Sequence, residues 1–463
     1  MKRFLVLALI SLFFVSQTYA QNQRDRKSRV PESINDMKEK PERPNLPMKG
    51  RGFNTLEDAL KEAETLKKLV LTNKKLTEIS PKISEFKVLD FVNLSGNKLS
   101  ALPNEFGSLK EVTNLNLSKN EFSEFPLAIL KLDKLEYLDL SFNTLKAIPA
   151  ELFNLKNLKV LKLSKNQLVN IPEGIEKLTN LTELTLDNNK LDGFPVKVAK
   201  CTNLEILILD ANQLTSISPE IAKLTSLKRL SFKKNNISAI PDEIGKLAKL
   251  ETLDFESNSI KEIPVSIAGL SSLKDLDLGR NQISVFPESL TKLAALEILT
   301  LGSNQCKAIP ETIGKLTKLS SLDLSGNGIT VLPKEVGNLV NLKKLILTQN
   351  EIADLPVDLG KLKALTHLSA ERNKLTKLPN ELTTLDNLQG IKLDDNQITD
   401  LPNDIGNLKN LKMLSLNNNK ISKIPASLTN LTNLKVLQLR NNNISDQDKE
   451  TLKNSLRDAR IIY

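Results

Sequence analysis

The sequence of 463 residues has no tryptophan, one histidine and two cysteines, and aromatic residues make up only 4% of it. Acid–base catalysis through a histidine would have to use His367, for which we find no nucleophile or acid partner in a recognisable motif. Phosphate-binding glycine loops and clustered Cys/His metal ligands are missing as well. We therefore predict no enzymatic activity, no cofactor and no metal site.

Long apolar runs are also scarce, and the one near the N-terminus is too short for a transmembrane helix. Lys2 and Arg3 precede an apolar run over 4–15, and small residues follow before the polar stretch that begins at Gln21. This order is typical of a secretory signal peptide, which we assign to residues 1–20. We predict a protein that is exported to the medium, the periplasm or the cell surface, with no transmembrane segment.

Residues 21–52 contain four prolines among many charges and few large apolar side chains. Such a composition cannot support a packed core, so we predict a disordered Pro- and charge-rich arm. From Phe53 the pattern changes, because Thr55 and Asp58 form a capping box and apolar residues follow at helical spacing. We predict an N-terminal capping helix over 53–65.

A period of 23 residues governs the chain from 66 to 445, in about 17 copies. An asparagine recurs sixteen times at this spacing without insertion or deletion. Its positions are Asn97, Asn120, Asn143, Asn166, Asn189, Asn212, Asn235, Asn258, Asn281, Asn304, Asn327, Asn350, Asn373, Asn396, Asn419 and Asn442. Leucine stands eight, five and three residues before nearly every one of them.

This spacing has a physical cause. In L-x-L the two leucines point to one side of a short strand and the residue between them to the other. One strand cannot bury its leucine face alone, so successive copies must stack into a continuous parallel sheet. We predict that the asparagines form a structural ladder that binds backbone groups of neighbouring turns, which would otherwise be buried without partners.

After each asparagine come apolar residues, a proline in most copies and a pattern such as PDEIGKL. Proline favours the first position of a helical turn, with acidic residues near its start. The whole pattern, L-x-x-L-x-L-x-x-N-x-L-x-x-[IL]-P, resembles the leucine-rich repeat in its 23-residue class, and the chain resembles exported bacterial proteins of that kind. The resemblance implies an α/β fold, a curved horseshoe solenoid with a parallel sheet on the concave face and short helical turns on the convex face.

The C-terminal residues 446–463 depart from the repeat. Ser445 and Asp448 form a second capping box ahead of an amphipathic segment, and we predict a C-terminal cap that covers the open end of the sheet. Cys201 and Cys306 replace core residues about four repeats apart. Stacking at ~4.8 Å per repeat separates them by roughly 20 Å, so we predict two buried free thiols.

The concave sheet offers the residues six, four, two and one before each asparagine. Early copies place apolar side chains there, and these are our candidate partner-binding residues: Phe91, Tyr137, Phe142, Val160, Ile206 and Ile208. Grouped exposed apolar residues mark interaction sites. The same residue types also simply suit β-strands, so both interpretations stay open.

Further along, Asp254, Asp275 and Asp277 form an acidic patch beside Glu256, which Lys233 can balance. Calcium needs more oxygen ligands than this flat patch supplies, so we expect a solvated surface that attracts a basic ligand. Toward the C-terminus the concave charges become basic. The net charge of +10 is nevertheless spread over both faces, which argues against nucleic acid as a partner.

We therefore predict a non-catalytic module that binds a protein, or a glycan, through its concave sheet, in adhesion or host interaction. This function is what the family resemblance implies. An intracellular scaffold, similar to leucine-rich-repeat adaptors of small GTPases, is the first alternative, and the signal peptide argues against it. A regulatory or inhibitory subunit of an enzyme is the second. The sequence leaves the oligomeric state open.

Overall fold

A computed structural model describes residues 52–463 of the chain. The predicted signal peptide and almost all of the predicted arm lie outside this range. Within it, eighteen short strands form one continuous parallel sheet in which each strand pairs with the next one along the chain.

The strands contain three residues each. They are β1 Lys68–Val70, β2 Phe91–Asn93, β3 Asn114–Asn116, β4 Tyr137–Asp139, β5 Val160–Lys162, β6 Glu183–Thr185, β7 Ile206–Ile208, β8 Arg229–Ser231, β9 Thr252–Asp254, β10 Asp275–Asp277, β11 Ile298–Thr300, β12 Ser321–Asp323, β13 Lys344–Ile346, β14 His367–Ser369, β15 Gly390–Lys392, β16 Met413–Ser415, β17 Val436–Gln438 and β18 Arg460–Ile462. From β1 to β17 the register advances by one full repeat per strand, as in the pairing of Tyr137 with Val160.

The leucines of each L-x-L motif lie on the core side of the sheet, as the alternation of side chains along a strand requires. In the repeat that contains β4, Leu135, Leu138 and Leu140 have no solvent exposure. Equivalent leucines of all the repeats form one continuous hydrophobic core, from Phe53 to Leu456. A single strand could not bury this face, so the stack of repeats is the stable unit.

Short 3₁₀ turns form the other wall of the core, most of them directly after a proline. They span Pro81–Glu85, Asn104–Ser108, Leu127–Lys131, Ala150–Asn154, Ile175–Lys177, Val196–Lys200, Pro219–Lys223, Asp242–Lys246, Val265–Gly269, Glu288–Lys292, Glu311–Lys315, Lys334–Asn338, Val357–Lys361, Asn380–Thr384, Ile405–Asn407 and Ala426–Asn430. The turns pack closely, since a Cβ atom at Gly245 would lie 2.1 Å from the carbonyl oxygen of Ser266. The predicted class, a repeat solenoid with a parallel sheet and short helical turns, is confirmed.

Both ends of the stack carry an α-helix. Helix α1, Leu56–Leu60, begins at Thr55, whose side chain accepts a hydrogen bond from the Asp58 amide. It occupies only part of the predicted span 53–65, and residues 61–65 form turns. Helix α2, Asp446–Ser455, begins at Ser445 with the same kind of cap.

The C-terminal segment also contains a strand that the sequence analysis missed. After α2 the chain returns to the sheet as β18, which pairs with β17. No L-x-L motif or ladder asparagine marks this strand in the sequence. The segment 446–463 thus extends the sheet by one strand in addition to supplying a helix.

The sixteen asparagines form a ladder along one edge of the core. The side-chain nitrogen of each donates to the carbonyl oxygen three residues earlier and to the one 26 residues earlier, and the side-chain oxygen accepts from the amide 21 residues earlier. Each asparagine therefore ties its own repeat to the preceding one.

Both cysteines are buried and free, as predicted. Burial raises the pKa of the Cys201 thiol to about 12 and that of Cys306 to about 11. Each thiol donates to a core carbonyl oxygen, that of Ile175 or Ile283. These thiols are packing residues without thiolate reactivity at neutral pH.

Candidate functional site on the open face of the sheet

The side of the sheet that faces away from the core is the candidate site. We call it the sheet face and define it by the side chains seven, six, four and two residues before each ladder position, together with the residue directly before it. Backbone φ at this last residue is positive in every repeat, from Asn73 to Asn441. The core side repeats leucine, whereas the sheet face differs from strand to strand.

The predicted aromatic stripe is only partly exposed. Phe91 and Tyr137 retain 8% and 7% of their exposure. Tyr137 lies between Asn114 and Val160 of the adjacent strands, and Lys162 extends over its ring at 5.6 Å from the centroid. Strands about 4.8 Å apart let neighbouring side chains cover a flat ring from both sides, which the sequence pattern does not reveal. The expectation that these two rings face open solvent was wrong.

Phe142 is the aromatic side chain that remains open, with 42% exposure. It has a φ of 57°, a left-handed conformation that is unfavourable for a bulky residue. The ammonium groups of Lys119 and Lys165 lie 5.5 and 4.2 Å from the centre of its ring, one repeat before and one after it. An exposed ring between two cations is suited to an apolar group that carries negative charge.

Val160, Ile206 and Ile208 are half-buried on strands β5 and β7. Between these strands, Lys162 and Glu183 form an ion pair of 3.1 Å. The apolar patch is therefore interrupted by a charged pair and is not one continuous stripe.

The acidic patch lies on strands β9 and β10, where Asp254 and Asp277 are direct neighbours in register. Asp275 and Asp254 are half-buried and Asp277 is buried. The predicted ion pair between Lys233 and Glu256 is present. Among residues 52–463, no group of three or more potential ligands could hold a metal ion.

These aspartates have a structural role that the sequence analysis missed. The Asp254 side chain accepts a hydrogen bond from the Glu256 amide at 2.8 Å, and Asp277 accepts one from the Gly279 amide at 3.0 Å. Asn93, Asn116, Asp139 and Asp323 make the same bond to the amide two residues on. An Asx turn therefore closes the strand end in six repeats.

Three repeats have serine at this strand position, namely Ser231, Ser369 and Ser415, and in two of them the amide binds a different acceptor. In the repeats of Ser231 and Ser415 an aspartate of the preceding repeat accepts the amide: Asp210 binds the Lys233 amide and Asp394 the Asn417 amide. Asn or Asp four residues before the ladder was the signal that could have found these turns.

Burial and the neighbouring carboxylate of Asp277 raise the pKa of Asp254 to about 7. The hydrogen bond from the Glu256 amide acts in the opposite direction but is smaller. Because the two carboxylates are fixed side by side, Asp254 stays partly protonated up to neutral pH. This lowers the negative charge of the patch near pH 7.

The lysines seven residues before the ladder differ along the chain. Beside strands β5, β8 and β10 the lysine follows a glutamate of the preceding repeat and pairs with it: Lys159–Glu136, Lys228–Glu205 and Lys274–Glu251, at 2.8 to 2.9 Å. From β13 onward the same column reads Lys343, Thr366, Gln389, Lys412 and Lys435. Among the described residues, these three later lysines form no ion pair, and Lys412 binds the neutral Gln389 instead at 3.2 Å.

His367 lies on β14 in this basic region, half-buried. Burial lowers its pKa, and Lys344, Lys392 and Lys412 lower it further. Its Nδ1 is 2.9 Å from the hydroxyl of Thr366, which donates its own proton to the Lys343 carbonyl oxygen. When the Thr366 hydroxyl donates to Lys343, the neutral ring donates from Nδ1 and leaves Nε2 as an acceptor.

Comparison with known proteins agrees with this architecture. Residues 199–327 and 303–396 match the "Leucine-rich repeat region" family, and 64–122, 133–191 and 386–444 match the "Leucine rich repeat" family. The structure of the leucine-rich-repeat protein LIC12759 of Leptospira interrogans is similar at 35% identity and a TM-score of 0.80, over 90% of this chain and 100% of the other.

The chain belongs to the leucine-rich-repeat family. Other similar structures are an internalin of Listeria monocytogenes, with 30% identity and a TM-score of 0.61 over 66% of this chain and 87% of that one, and the plant peptide hormone receptor RGFR1 in complex with RGF2, with 32% identity and 0.71 over 82% and 64%. A search of curated proteins found no match. This leucine-rich-repeat chain resembles bacterial members of the family, and none of the matching families is enzymatic.

No helix within residues 52–463 is long and apolar enough to cross a membrane. The structure describes the repeat stack of this leucine-rich-repeat protein and the two ends of the stack.

Proposed function

We propose that this protein is an exported, non-catalytic module that binds a protein partner through the sheet face. The observation that supports the proposal most directly is the contrast between the two sides of the sheet. Leucine repeats on the core side, whereas the open side has a different set of aromatic, acidic and basic side chains in each third of the stack. Such variation on an invariant scaffold is characteristic of recognition surfaces.

The similar structures support a protein or peptide as the partner, since the plant receptor RGFR1 was solved with the peptide hormone RGF2. We include Phe142, Val160, Ile206 and Ile208 in the proposed contact surface, together with Asp254, Asp275 and Asp277. Phe91 and Tyr137 would shape this surface from below, because they are buried. A glycan remains the second partner class in this proposal, and adhesion or host interaction the proposed setting.

A photo-crosslinking amino acid at position 142 of the full chain, expressed in the native host, tests the proposal. Position 331 is the matched control, because Val331 is exposed outside the sheet. We expect a discrete adduct from position 142 and none from position 331. Equal labelling from both positions, or an adduct at 331 alone, would contradict binding through the sheet face.

Export is tested separately by cell fractionation with protease treatment of intact cells. Digestion of the protein on intact cells is expected for a surface location, and protection outside the cytosol for the periplasm. An uncleaved chain in the cytosol would refute export and favour the intracellular scaffold.

A further inference from the structure

The basic region on the last six strands has a distinct chemistry. The first two sheet-face positions of β13 to β17, seven and six residues before the ladder, include Lys343, Lys344, Lys412 and Lys435, and β18, which has no ladder asparagine, adds Arg460 opposite Val436. We call these five residues the basic strip. No aspartate or glutamate occupies either position on any of these strands. None of the five cations makes an ion pair within residues 52–463, in contrast to Lys159, Lys228 and Lys274 of the same column on earlier strands.

We propose that the basic strip binds an extended acidic segment of the protein partner, which crosses the strands from β13 to β18. This inference rests on the proposed function and names the chemistry of the partner at one part of the sheet face. At ~4.8 Å per strand, five strand spacings cover roughly 24 Å, the length of about seven extended residues. Cations at both ends and in the middle of that distance match carboxylates distributed along such a segment.

The side chains between the cations favour a peptide over a sulfated glycan. Met413 and Val436 lie directly beside one another in register and are half-buried, so they offer apolar contact between Lys412 and Lys435. Glu371 and Asp394, two residues beyond the ends of strands β14 and β15, would repel a ligand with dense negative charge. A segment that alternates carboxylates with apolar residues satisfies both conditions.

His367 adds a hydrogen-bond acceptor within the strip. A Cβ atom at position 390 would lie 3.0 Å from its Cδ2, so Gly390 leaves the space that the imidazole needs beside strand β15. Because Nδ1 is bound to Thr366, Nε2 is the atom that can accept a backbone N–H from the segment. A carboxylate bound to Lys344 or Lys412 would offset their positive potential and raise the pKa of His367.

His367 is the single histidine of the chain, so its imidazole resonance reports this site without ambiguity. The full chain, prepared without a histidine tag and with ¹⁵N-histidine, is titrated with a ten-residue peptide of alternating glutamate and alanine. We expect the His367 signal to shift saturably and its pKa to rise. The same peptide with lysine in place of glutamate is expected to have no effect.

Matched variants distinguish binding at the basic strip from a general effect of removing positive charge. Lys412→Gln with Lys435→Gln is expected to weaken peptide binding about three- to tenfold, whereas Lys159→Gln with Lys228→Gln, from the same column, leaves it unchanged. Circular dichroism verifies that both variants fold. Equal weakening in both, or an unmoved His367 signal at saturating peptide, would overturn the proposal.

A heparin oligosaccharide forms the second arm of the titration. A His367 shift with heparin but not with the peptide would show that the strip binds a sulfated glycan, and the peptide assignment would be wrong. A crosslink at position 142 would then still support binding through the sheet face, so the two proposals fail separately.

Discussion

Strands β5 to β10 and strands β13 to β17 have the same backbone arrangement and the same core, yet they differ in how their charged side chains are paired. In the first region, lysines are paired with glutamates one repeat away and aspartates close the strand ends. In the second, glutamine and threonine stand where glutamates would be, and the lysines have no acidic neighbour in their column. Regions with identical folds can therefore differ in whether their charges are satisfied internally or remain available to a partner.

The largest expected effect concerns the Asx turn at Asp277. Asp277→Ala leaves the buried Gly279 amide without its acceptor, whereas Asp277→Asn keeps an acceptor and removes only the charge. We expect the free energy of unfolding of the alanine variant, measured by urea denaturation, to be about 1–3 kcal/mol lower than that of the asparagine variant. Equal stabilities would show that the hydrogen bond of the turn does not contribute to stability.

The second prediction concerns pH. The folded pKa of Asp254 is about 7, above its value of 3.8 in an unfolded chain. The stabilisation of the protonated form is fully present below pH 4 and is lost as the pH rises toward 7 and above. Asp254→Asn, which keeps the turn, should therefore stabilise the protein by about 1–2 kcal/mol at pH 8, once solvent screening is allowed for.

The same variant should have little effect on stability at pH 3.5, where the wild-type carboxyl is protonated in the folded state and mostly protonated in the unfolded state. Denaturation midpoints at the two pH values provide the measurement. A gain of the same size at both would mean that the effect is not electrostatic.

A smaller effect should differ between the two regions. Lys228→Gln breaks an exposed pair with Glu205 and should lower the free energy of unfolding by about 0.2–1 kcal/mol. In the described part of the chain Lys435 has no acidic partner, and its neighbour one repeat away, Lys412, is also a cation. Lys435→Gln should therefore leave the free energy of unfolding unchanged or raise it slightly. Added salt should reduce the first effect, because salt screens exposed pairs. Equal losses in both variants would refute the distinction between the regions.

The smallest effect is expected at His367, where Lys344→Gln removes one of the neighbouring cations. The pKa of His367 should rise toward its ordinary value, as followed by the NMR titration of its imidazole. Lys274→Gln provides the control, because Lys274 lies beside β10, four strands away from β14, and it should leave the titration of His367 unaltered. No change on removal of Lys344 would show that this lysine does not contribute to the lowered pKa.

The sequence was sufficient for the features that depend on the backbone period. Leucines at two-residue spacing predicted the strands, the asparagine column predicted the ladder, and the positions of Cys201 and Cys306 predicted buried thiols. Each of these depends only on which side of the strand a residue occupies, and the 23-residue register determines that side.

Features that depend on neighbouring strands were not predictable in the same way. The burial of Tyr137 depends on Asn114, Val160 and Lys162, which lie one repeat away on either side. Strand β18 lacks the motif and forms because the chain returns after α2 to pair with β17. Reading the columns across repeats, as well as the motif along each repeat, would have improved the prediction of the exposed surface.

The uninterrupted register of the ladder has an evolutionary consequence. Deletion or duplication of one complete 23-residue unit would move later strands by one place and give every ladder asparagine an equivalent set of bonds. The distance between Phe142, the acidic patch and the basic strip would change by whole steps of ~4.8 Å. Recombination between copies could thus re-space the recognition elements of this molecule while preserving its core, which gives a lineage a simple means to change the partner it holds.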